Sequence, residues 1–153
     1  MATVKPVPDG YSTVTPYLII DGAAAAIDFY RRAFGAEELV RMPMPGGRVG
    51  HAEIQIGDSR VMLADEFPEM DARGPKSRGG TAVTILLYVS DCDAVFNRAV
   101  AAGAKVRKAM KDQFYGDRSG TLEDPFGHVW TVATHKEDVT PEEMKRRMQS
   151  MGG

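Results

Sequence analysis

The stretch IDFYRRAFGAEEL, Ile27–Leu39, carries the change from helix to strand that decides the fold. Its apolar residues recur at the spacing of one helix face, and Gly35 stands where a helix C-cap is expected. Before it, residues 13–20 are β-branched and aromatic, which predicts a strand. After it, turn signals separate three strand-like runs, at residues 38–43, 49–56 and 60–64. The first half of the chain is thus predicted to fold as strand, helix and three strands.

The second half of the chain repeats this order. Residues 82–89 predict a strand, Asp91 a helix N-cap, and Gly103 the end of that helix. Strand candidates follow at residues 105–110, 120–123 and 128–134. Thr15 and Thr84 lie 69 residues apart in equivalent places, and the Gly-Ala pairs that begin at 35 and 103 lie 68 apart. We therefore predict two copies of one βαβββ unit.

The segment between the two copies, FPEMDARGPKSRGG, lacks periodicity and is rich in Pro, Gly and charge, which predicts a linker or mobile loop. After the second copy, TPEE at residues 140–143 is a capping box that predicts a C-terminal helix. The predicted parts of the chain are an N-terminal lead at 1–12, a first module at 13–66, a linker loop at 67–81, a second module at 82–135, and a C-terminal helix and tail at 136–153.

Composition and charge exclude several kinds of partner. The net charge is −2 and the basic residues are mostly scattered, so no stripe is offered to the phosphates of a nucleic acid. The single cysteine, Cys92, excludes an intrachain disulfide and suits a reducing compartment. No run approaches the roughly 18 apolar residues that a membrane span requires, and the start carries no targeting signal. We expect a cytoplasmic protein with no nucleic-acid or membrane partner.

Three motifs give the chain a family resemblance. They are the segment Ile27–Leu39, the stretch GDSRVMLADEFP at Gly57–Pro68, and the stretch YGDRSGTLEDPFGHVW at Tyr115–Trp130. With these motifs in this order, about residues 13–135 resemble the vicinal-oxygen-chelate superfamily of glyoxalases, bleomycin-resistance proteins and dioxygenases, and its PhnB-like branch is nearest. The resemblance implies an α+β fold in which duplicated βαβββ modules form a curved mixed sheet around a cavity.

Metal-dependent members of that superfamily hold a metal with four ligands, usually His or Glu, on strands of both modules. The resemblance places these four positions at Thr15, Leu63, Thr84 and Thr131. Threonine hydroxyls are weak donors at neutral pH, and leucine is no donor at all. We therefore expect no metal and no other cofactor. Glyoxalase-type isomerisation and extradiol dioxygenation, which need the metal, lose their mechanism.

Strand alternation assigns the side chains that should line the cavity. If Ala52 and Ile54 face the helix, then His51 and Glu53 face the other way. The same alternation along the other strands assigns further side chains to this face, and the loop before the seventh strand contributes two more. Together they form a mixed apolar, aromatic and polar wall, as small-molecule pockets have. The ligand-binding candidates are Tyr17, His51, Glu53, Leu63, Asp65, Leu86, Tyr88, Tyr115 and Arg118.

Some of these candidates have a competing structural interpretation. His51 and Glu53 could hold a displaced metal or act as an acid–base pair in which Glu53 orients the imidazole, but such a pair is more often a surface salt bridge. Arg118 could bind a carboxylate or phosphate of a ligand, or could hold its own loop through an Asp/Arg contact. Trp130 precedes Thr131 on the last strand and therefore faces the opposite side, toward the core. This position favours packing over stacking on a ligand.

The favoured functional hypothesis is a metal-independent protein that sequesters a small, partly aromatic or amphipathic molecule, as bleomycin-resistance relatives do. We expect a homodimer, because members of the superfamily often complete their site at a dimer interface. The alternative is a lyase, isomerase or dioxygenase-type enzyme with a non-standard site around His51 and Glu53; no catalytic residue is assigned otherwise. A dimerising scaffold for another protein is a third hypothesis.

Overall fold

The first sheet is mixed and forms from the first half of the chain. The structure is a computed structural model that describes residues 3–152, so the outermost residues of the predicted lead and tail, 1, 2 and 153, lie outside the described residues. The elements of this half are β1 (Tyr17–Ile20), α1 (Ala23–Phe34), β2 (Glu37–Pro43), β3 (Val49–Ile56) and β4 (Ser59–Asp65). The strand order is β1-β4-β3-β2; β1 runs parallel to β4, and the other pairs are antiparallel.

The segment predicted as a linker or mobile loop contains two helical turns. They are a 3₁₀ turn at Pro68–Met70 and the four-residue helix α2 (Pro75–Arg78). The Glu66 carboxylate holds the segment, because its Oε1 accepts hydrogen bonds from the Gly74 N–H and the Ser77 hydroxyl, both at 2.7 Å. One carboxylate thus organises residues that carry no hydrophobic periodicity.

The second sheet repeats the order of the first. Its elements are β5 (Thr84–Tyr88), α3 (Cys92–Ala101), β6 (Lys105–Asp112), β7 (Asp117–Glu123) and β8 (Val129–His135), followed by the C-terminal helix α4 (Pro141–Gly152). The strand order is β5-β8-β7-β6, with β5 parallel to β8. The chain divides after Thr81 into two units, one for each sheet. The predicted α+β fold with duplicated βαβββ modules is confirmed.

Local sequence explains the main helix of the first unit. The apolar side chains that recur along α1, among them Ile27, Phe29 and Tyr30, are almost fully buried, as an amphipathic helix requires. Gly35 ends the helix with a left-handed backbone, φ 70°, and its N–H donates to the Arg31 carbonyl. A glycine adopts this conformation without a Cβ clash, so the predicted C-cap is confirmed.

Each sheet has one face against its helix and one face turned away, which we call the open face. In β3, Ala52 and Ile54 are fully buried, whereas His51 and Glu53 are only half-buried on the other side, as the alternation predicted. In the second sheet, a Cβ added at Gly120 would meet the Phe96 ring of α3 at 2.8 Å, so Gly120 lies on the helix side. The odd-numbered residues of β7 consequently lie on the open face. No helix within residues 3–152 is long and apolar enough to cross a membrane.

Candidate functional site

A chain of hydrogen bonds crosses the open face of the first sheet. The Tyr17 hydroxyl lies 2.9 Å from His51 Nδ1, and His51 Nε2 lies 2.9 Å from Glu53 Oε2. Tyr17 comes from β1, while His51 and Glu53 are two residues apart on β3, so strand alternation places all three on one face. Three predicted candidates are thus brought together, with Glu53 fixing the orientation of the imidazole.

The N-terminal lead adds a residue that sequence reasoning missed. Tyr11 donates a hydrogen bond to Glu53 Oε1, and the Arg60 guanidinium carbon lies 4.9 Å from the centre of the Tyr11 ring. Gly10 permits this approach, because a Cβ there would lie 2.4 Å from the Arg60 guanidinium. Tyr11 stands in a Pro/Gly-rich stretch with no periodicity, so no local signal could connect it with Glu53.

The hydrogen bonds set the charge of the Glu53 carboxylate. The donors Tyr11 and His51, in that order, lower the pKa of Glu53 below its ordinary value. Burial, followed by contact with Glu53, raises the pKa of Tyr11 and of Tyr17. At neutral pH the site therefore holds a carboxylate and two neutral phenols around the His51 ring. This set can orient a polar ligand or move a proton between a ligand and His51.

The open face of the second sheet contains a cavity of about 650 Å³. Two predicted candidates line it, Leu86 of β5 and Tyr115 of the β6–β7 turn, with 46% and 38% of their surfaces exposed. Thr121 and Thr131 face each other across β7 and β8 with their hydroxyl oxygens 2.7 Å apart. The remaining lining residues are Lys108, Ala109, Lys111, Gln113, Ser119 and Gly120. The cavity thus combines apolar, hydroxyl and cationic groups.

Tyr88 belongs to a second polar cluster on the same open face. Its hydroxyl donates to Asp117 Oδ2 at 2.8 Å, and Asp117 Oδ1 lies 2.7 Å from His135 Nδ1. The hydrogen bond to Asp117, followed by burial, raises the pKa of Tyr88. His135 also contacts Asp138 through Nε2 at 2.8 Å. The Tyr88 side chain is exposed, but its polar end is held by Asp117, which is nearly fully buried.

Leu63 does not lie on the predicted face. Leu63 pairs with Leu18 and Ala52 in the sheet, and all three are buried on the helix side. Met62 instead pairs with Tyr17 and Glu53, which puts it on the open face. The prediction failed because the two modules were aligned with a shift of 68 residues at this position, which matches Leu63 to Thr131. The shift of 69 residues that matches Thr15 to Thr84 instead matches Met62 to Thr131.

Asp65 was assigned to the open face with Leu63, and this prediction was also wrong. Its carboxylate accepts hydrogen bonds from the backbone N–H groups of Gly22 at 3.0 Å, Ala23 at 2.9 Å and Val49 at 2.6 Å. Asp65 is 8% exposed and anchors the start of α1. Asp65 also lines a smaller cavity, of about 390 Å³, near the start of α1. Asp21, Arg48 and Glu66 line the same cavity.

Arg118 points toward the helix side of the second sheet rather than into the cavity. Its Nε and Nη2 donate to Asp93 of α3 at 2.8 and 3.0 Å, and its Nη1 lies 3.4 Å from Asp112. These contacts match the structural alternative, an Asp/Arg interaction, with Asp93 and Asp112 as the partners. β7 begins at Asp117, three residues earlier than predicted, so alternation turns Arg118 away from the open face.

The side chains at the expected metal positions do not fit a divalent metal. Thr15, Thr84 and Thr131 offer only neutral hydroxyls, and the fourth position offers Met62 or Leu63. Within residues 3–152, no three or more His, Cys, Asp and Glu side chains are grouped closely enough to hold a metal. His51 and Glu53 by themselves supply two ligands, fewer than the four that zinc sites ordinarily use.

Trp130 has the structural role that its parity predicted. Its side chain is fully buried, and the indole Nε1–H donates to Asp124 Oδ2 at 2.9 Å. Asp124 Oδ1 also accepts from the backbone N–H groups of Phe126 and His128, so the DPFG turn is held by one carboxylate. The motif that carried the family resemblance is therefore a structural corner at the start of β8.

Comparison with known proteins agrees with the architecture of the two units. An uncharacterized protein of Mycobacterium tuberculosis (strain ATCC 25618 / H37Rv) is 46% identical over 142 residues, which cover 91% of this chain and 84% of that protein. TioX from Micromonospora sp. ML1 is 28% identical with a TM-score of 0.64, covering 84% of this chain and 100% of TioX.

A PhnB protein from Bacillus cereus shares the fold. Its TM-score is 0.64 at 18% identity, with 80% of this chain and 99% of that chain covered. The family model of the Glyoxalase/Bleomycin resistance protein/Dioxygenase superfamily matches residues 12–132, which begin before β1 and extend into β8. The chain belongs to the glyoxalase/bleomycin resistance protein/dioxygenase superfamily.

Proposed function

We propose that this protein binds a small, partly aromatic or amphipathic molecule without a metal, on the open face of the second sheet. The observation that carries the proposal is the cavity of about 650 Å³ lined by Leu86, Tyr115 and the Thr121–Thr131 pair. Ligand pockets commonly enclose roughly 300–1,000 Å³ and combine apolar walls with a few placed polar groups. Exposed leucine and tyrosine side chains supply the apolar contact, and the hydroxyls orient the ligand.

The proposed binding includes no chemical step, because the side chains at the superfamily's metal positions are poor metal ligands. The threonine and methionine or leucine side chains at the superfamily's metal positions cannot polarise a substrate carbonyl as a metal does. Sequestration needs only affinity, which we expect the cavity walls to provide. Leu86 is central to this role because a ligand that covers it removes apolar surface from water.

An uncharged fluorescent probe tests the binding proposal. N-phenyl-1-naphthylamine, which brightens in apolar sites, should bind the full chain in the presence of EDTA. Burying a leucine is worth roughly 1.5–3 kcal/mol, so Leu86→Gln should weaken binding about tenfold or more. Leu39→Gln, which changes a similarly exposed leucine of β2 outside the cavity, is the matched control. Absence of binding, or equal loss in both variants, contradicts the proposal.

We also propose that the protein is a cytoplasmic homodimer. A dimer is common in this superfamily, and the large apolar side chains left exposed on both open faces, among them Tyr17, Leu86 and Tyr88, are available for contact. Light scattering coupled to gel filtration measures the mass directly, and a single species near 16.7 kDa, the mass of one chain, would contradict the dimer. Fractionation of cells that express the protein tests the location.

A second candidate function is acid–base catalysis by a lyase or isomerase, favoured by the Tyr17–His51–Glu53 chain. Glu53 holds one imidazole nitrogen of His51, which leaves the other nitrogen, now beside the Tyr17 hydroxyl, to exchange a proton with a ligand. His51→Asn should abolish turnover of any substrate found while leaving the fold intact by circular dichroism. Unchanged turnover in that variant removes this candidate.

A further inference from the structure

Two β-bulges in β6 control which of its side chains reach the cavity. Val106 pairs with Leu122, Lys108 with Thr121, and Lys111 with Ser119, so β6 contains one extra residue in each interval. In a regular strand, residues three apart lie on opposite faces. The bulges instead place both Lys108 and Lys111 beside open-face residues of β7, and both line the cavity.

The positive charge of these lysines is not neutralised by the surrounding protein. No carboxylate lines the cavity, and neither ammonium group forms an ion pair within residues 3–152. The carboxylates on the neighbouring strands are engaged elsewhere: Asp112 with Arg118, Asp117 with Tyr88 and His135, and Glu123 with Arg107. A chain with a net charge of −2 thus gathers two uncompensated positive charges at one cavity.

The rest of the lining indicates what kind of anion would fit. Leu86 and Tyr115 give an apolar, partly aromatic wall, and in the threonine pair the hydroxyl that accepts from its partner can donate to an oxygen anion. The smaller cavity in the first unit has the opposite character, because Asp21, Asp65 and Glu66 outnumber Arg48 there. The two cavities therefore differ in the charge that they accept.

We propose that the cavity of the second sheet selects small aromatic or amphipathic anions, with Lys108 and Lys111 binding the anionic group. This inference rests on the proposed binding function and adds the class of ligand. Each ammonium contributes attraction at a partly exposed site, while Leu86 and Tyr115 hold the apolar body. An uncharged analogue of the same shape should bind more weakly and without dependence on salt.

A pair of probes that differ by one sulfonate tests this selection. The anionic probe is 8-anilinonaphthalene-1-sulfonate, and the uncharged probe is N-phenyl-1-naphthylamine. We expect the full chain to bind the anionic probe more tightly, and Lys108→Gln/Lys111→Gln to weaken that binding by about tenfold, given the modest value of each exposed ion pair. The same double variant should change the affinity for the uncharged probe by less than about twofold.

Two further double variants serve as controls. Lys76→Gln/Lys145→Gln makes the same change in net charge at two lysines that do not line the cavity and should leave both affinities unchanged. Lys108→Arg/Lys111→Arg keeps the charge and should retain tight binding of the anionic probe. Circular dichroism and the melting temperature establish that each variant is folded.

The outcomes separate this inference from the proposed function. If the uncharged probe binds and Leu86→Gln weakens its binding, but Lys108→Gln/Lys111→Gln leaves binding of the anionic probe unchanged, the proposed function stands and anion selection is overturned. Anion selection is also overturned if Lys76→Gln/Lys145→Gln weakens binding of the anionic probe as much as Lys108→Gln/Lys111→Gln does. If neither probe binds the native chain, the proposed function and this inference both fail.

Discussion

The carboxylate of Asp65 shows how one residue can be mistaken for a ligand contact when only its type is known. It is the last residue of β4, at the end of the first module in the sequence, where a polar residue suggests a site. In the structure it receives three backbone N–H groups, two of them at the start of α1 and one at the start of β3. Its negative charge also complements the positive end of the helix dipole.

Replacement of Asp65 should therefore affect stability. Asp65→Ala leaves buried N–H donors without an acceptor, which costs about 1–3 kcal/mol for each group. We expect the free energy of unfolding, measured by urea denaturation, to fall by about 3 kcal/mol or more for the three groups together. Asp21→Ala, which removes an exposed carboxylate from the same cavity, should change it by less than about 0.5 kcal/mol. Equal effects would contradict the anchoring role.

His135 is the residue whose titration should be most visible in stability. Its hydrogen bonds to Asp117, first, and to Asp138 raise the pKa of the imidazole above 6.5. A group whose pKa is raised on folding stabilises the folded state below its unfolded pKa and loses that contribution as the pH rises through the folded pKa. The stabilisation from His135 should thus be complete in mildly acidic solution and decline above neutrality.

A histidine substitution isolates this pH dependence. The difference in melting temperature between the native chain and His135→Gln should be largest near pH 6 and should shrink as the pH is raised toward 9. His128→Gln, at the turn before β8, is the control for loss of a histidine elsewhere. A difference that is constant over this range, or that grows with pH, would show that the Asp117 and Asp138 contacts do not stabilise the charged imidazole.

Among the elements, α4 is attached by polar contacts. None of its described side chains is buried, and the guanidinium of Arg147 supplies its links: Nη1 donates to the Phe114 carbonyl at 2.9 Å and to Glu137 at 2.7 Å. The same guanidinium lowers the pKa of Glu137. An element held in this way depends on ionic strength, because salt screens exposed charges.

Loss of Arg147 should release α4 without unfolding the sheets. We expect faster hydrogen exchange at the backbone amides of Pro141–Gly152 in Arg147→Ala, with exchange in β7 and β8 unchanged. About 1 M salt should act in the same direction on the native chain, because the screening length is then about 3 Å. Arg146→Ala removes a more exposed arginine from the same helix and is the control. Unaltered exchange in α4 would contradict this attachment.

At the scale of the whole molecule, stability should not depend on a metal. The side chains at the superfamily's four metal positions are threonines and a methionine or leucine, so we expect no bond from these positions to a divalent ion to contribute to the folded state. Dialysis against EDTA should leave the melting temperature unchanged, and plasma mass spectrometry of untagged protein should find less than about 0.1 metal ion per chain. Near-stoichiometric zinc, iron, manganese or nickel would contradict the argument.

Local patterns were sufficient to predict most of the elements. The helical spacing around Ile27, the glycine at position 35 and the repeat of the same order after Thr81 correctly gave two βαβββ units, because these signals act over a few residues. Strand alternation likewise placed Tyr17, His51 and Glu53 on one face. The same rule failed for Leu63 and Asp65, since the count across modules was one residue out and alternation inverts every side chain after such an error.

The sequence by itself therefore determined the order of elements and the resemblance to the superfamily. The tertiary structure decided which side chains share a face with the candidate sites. Tyr11 reaches Glu53 from 42 residues away, Arg118 reaches Asp93 on a helix, and bulges turn Lys108 and Lys111 into one cavity. These outcomes depend on strand register and on contacts between distant segments, whose energies no local pattern of residues encodes.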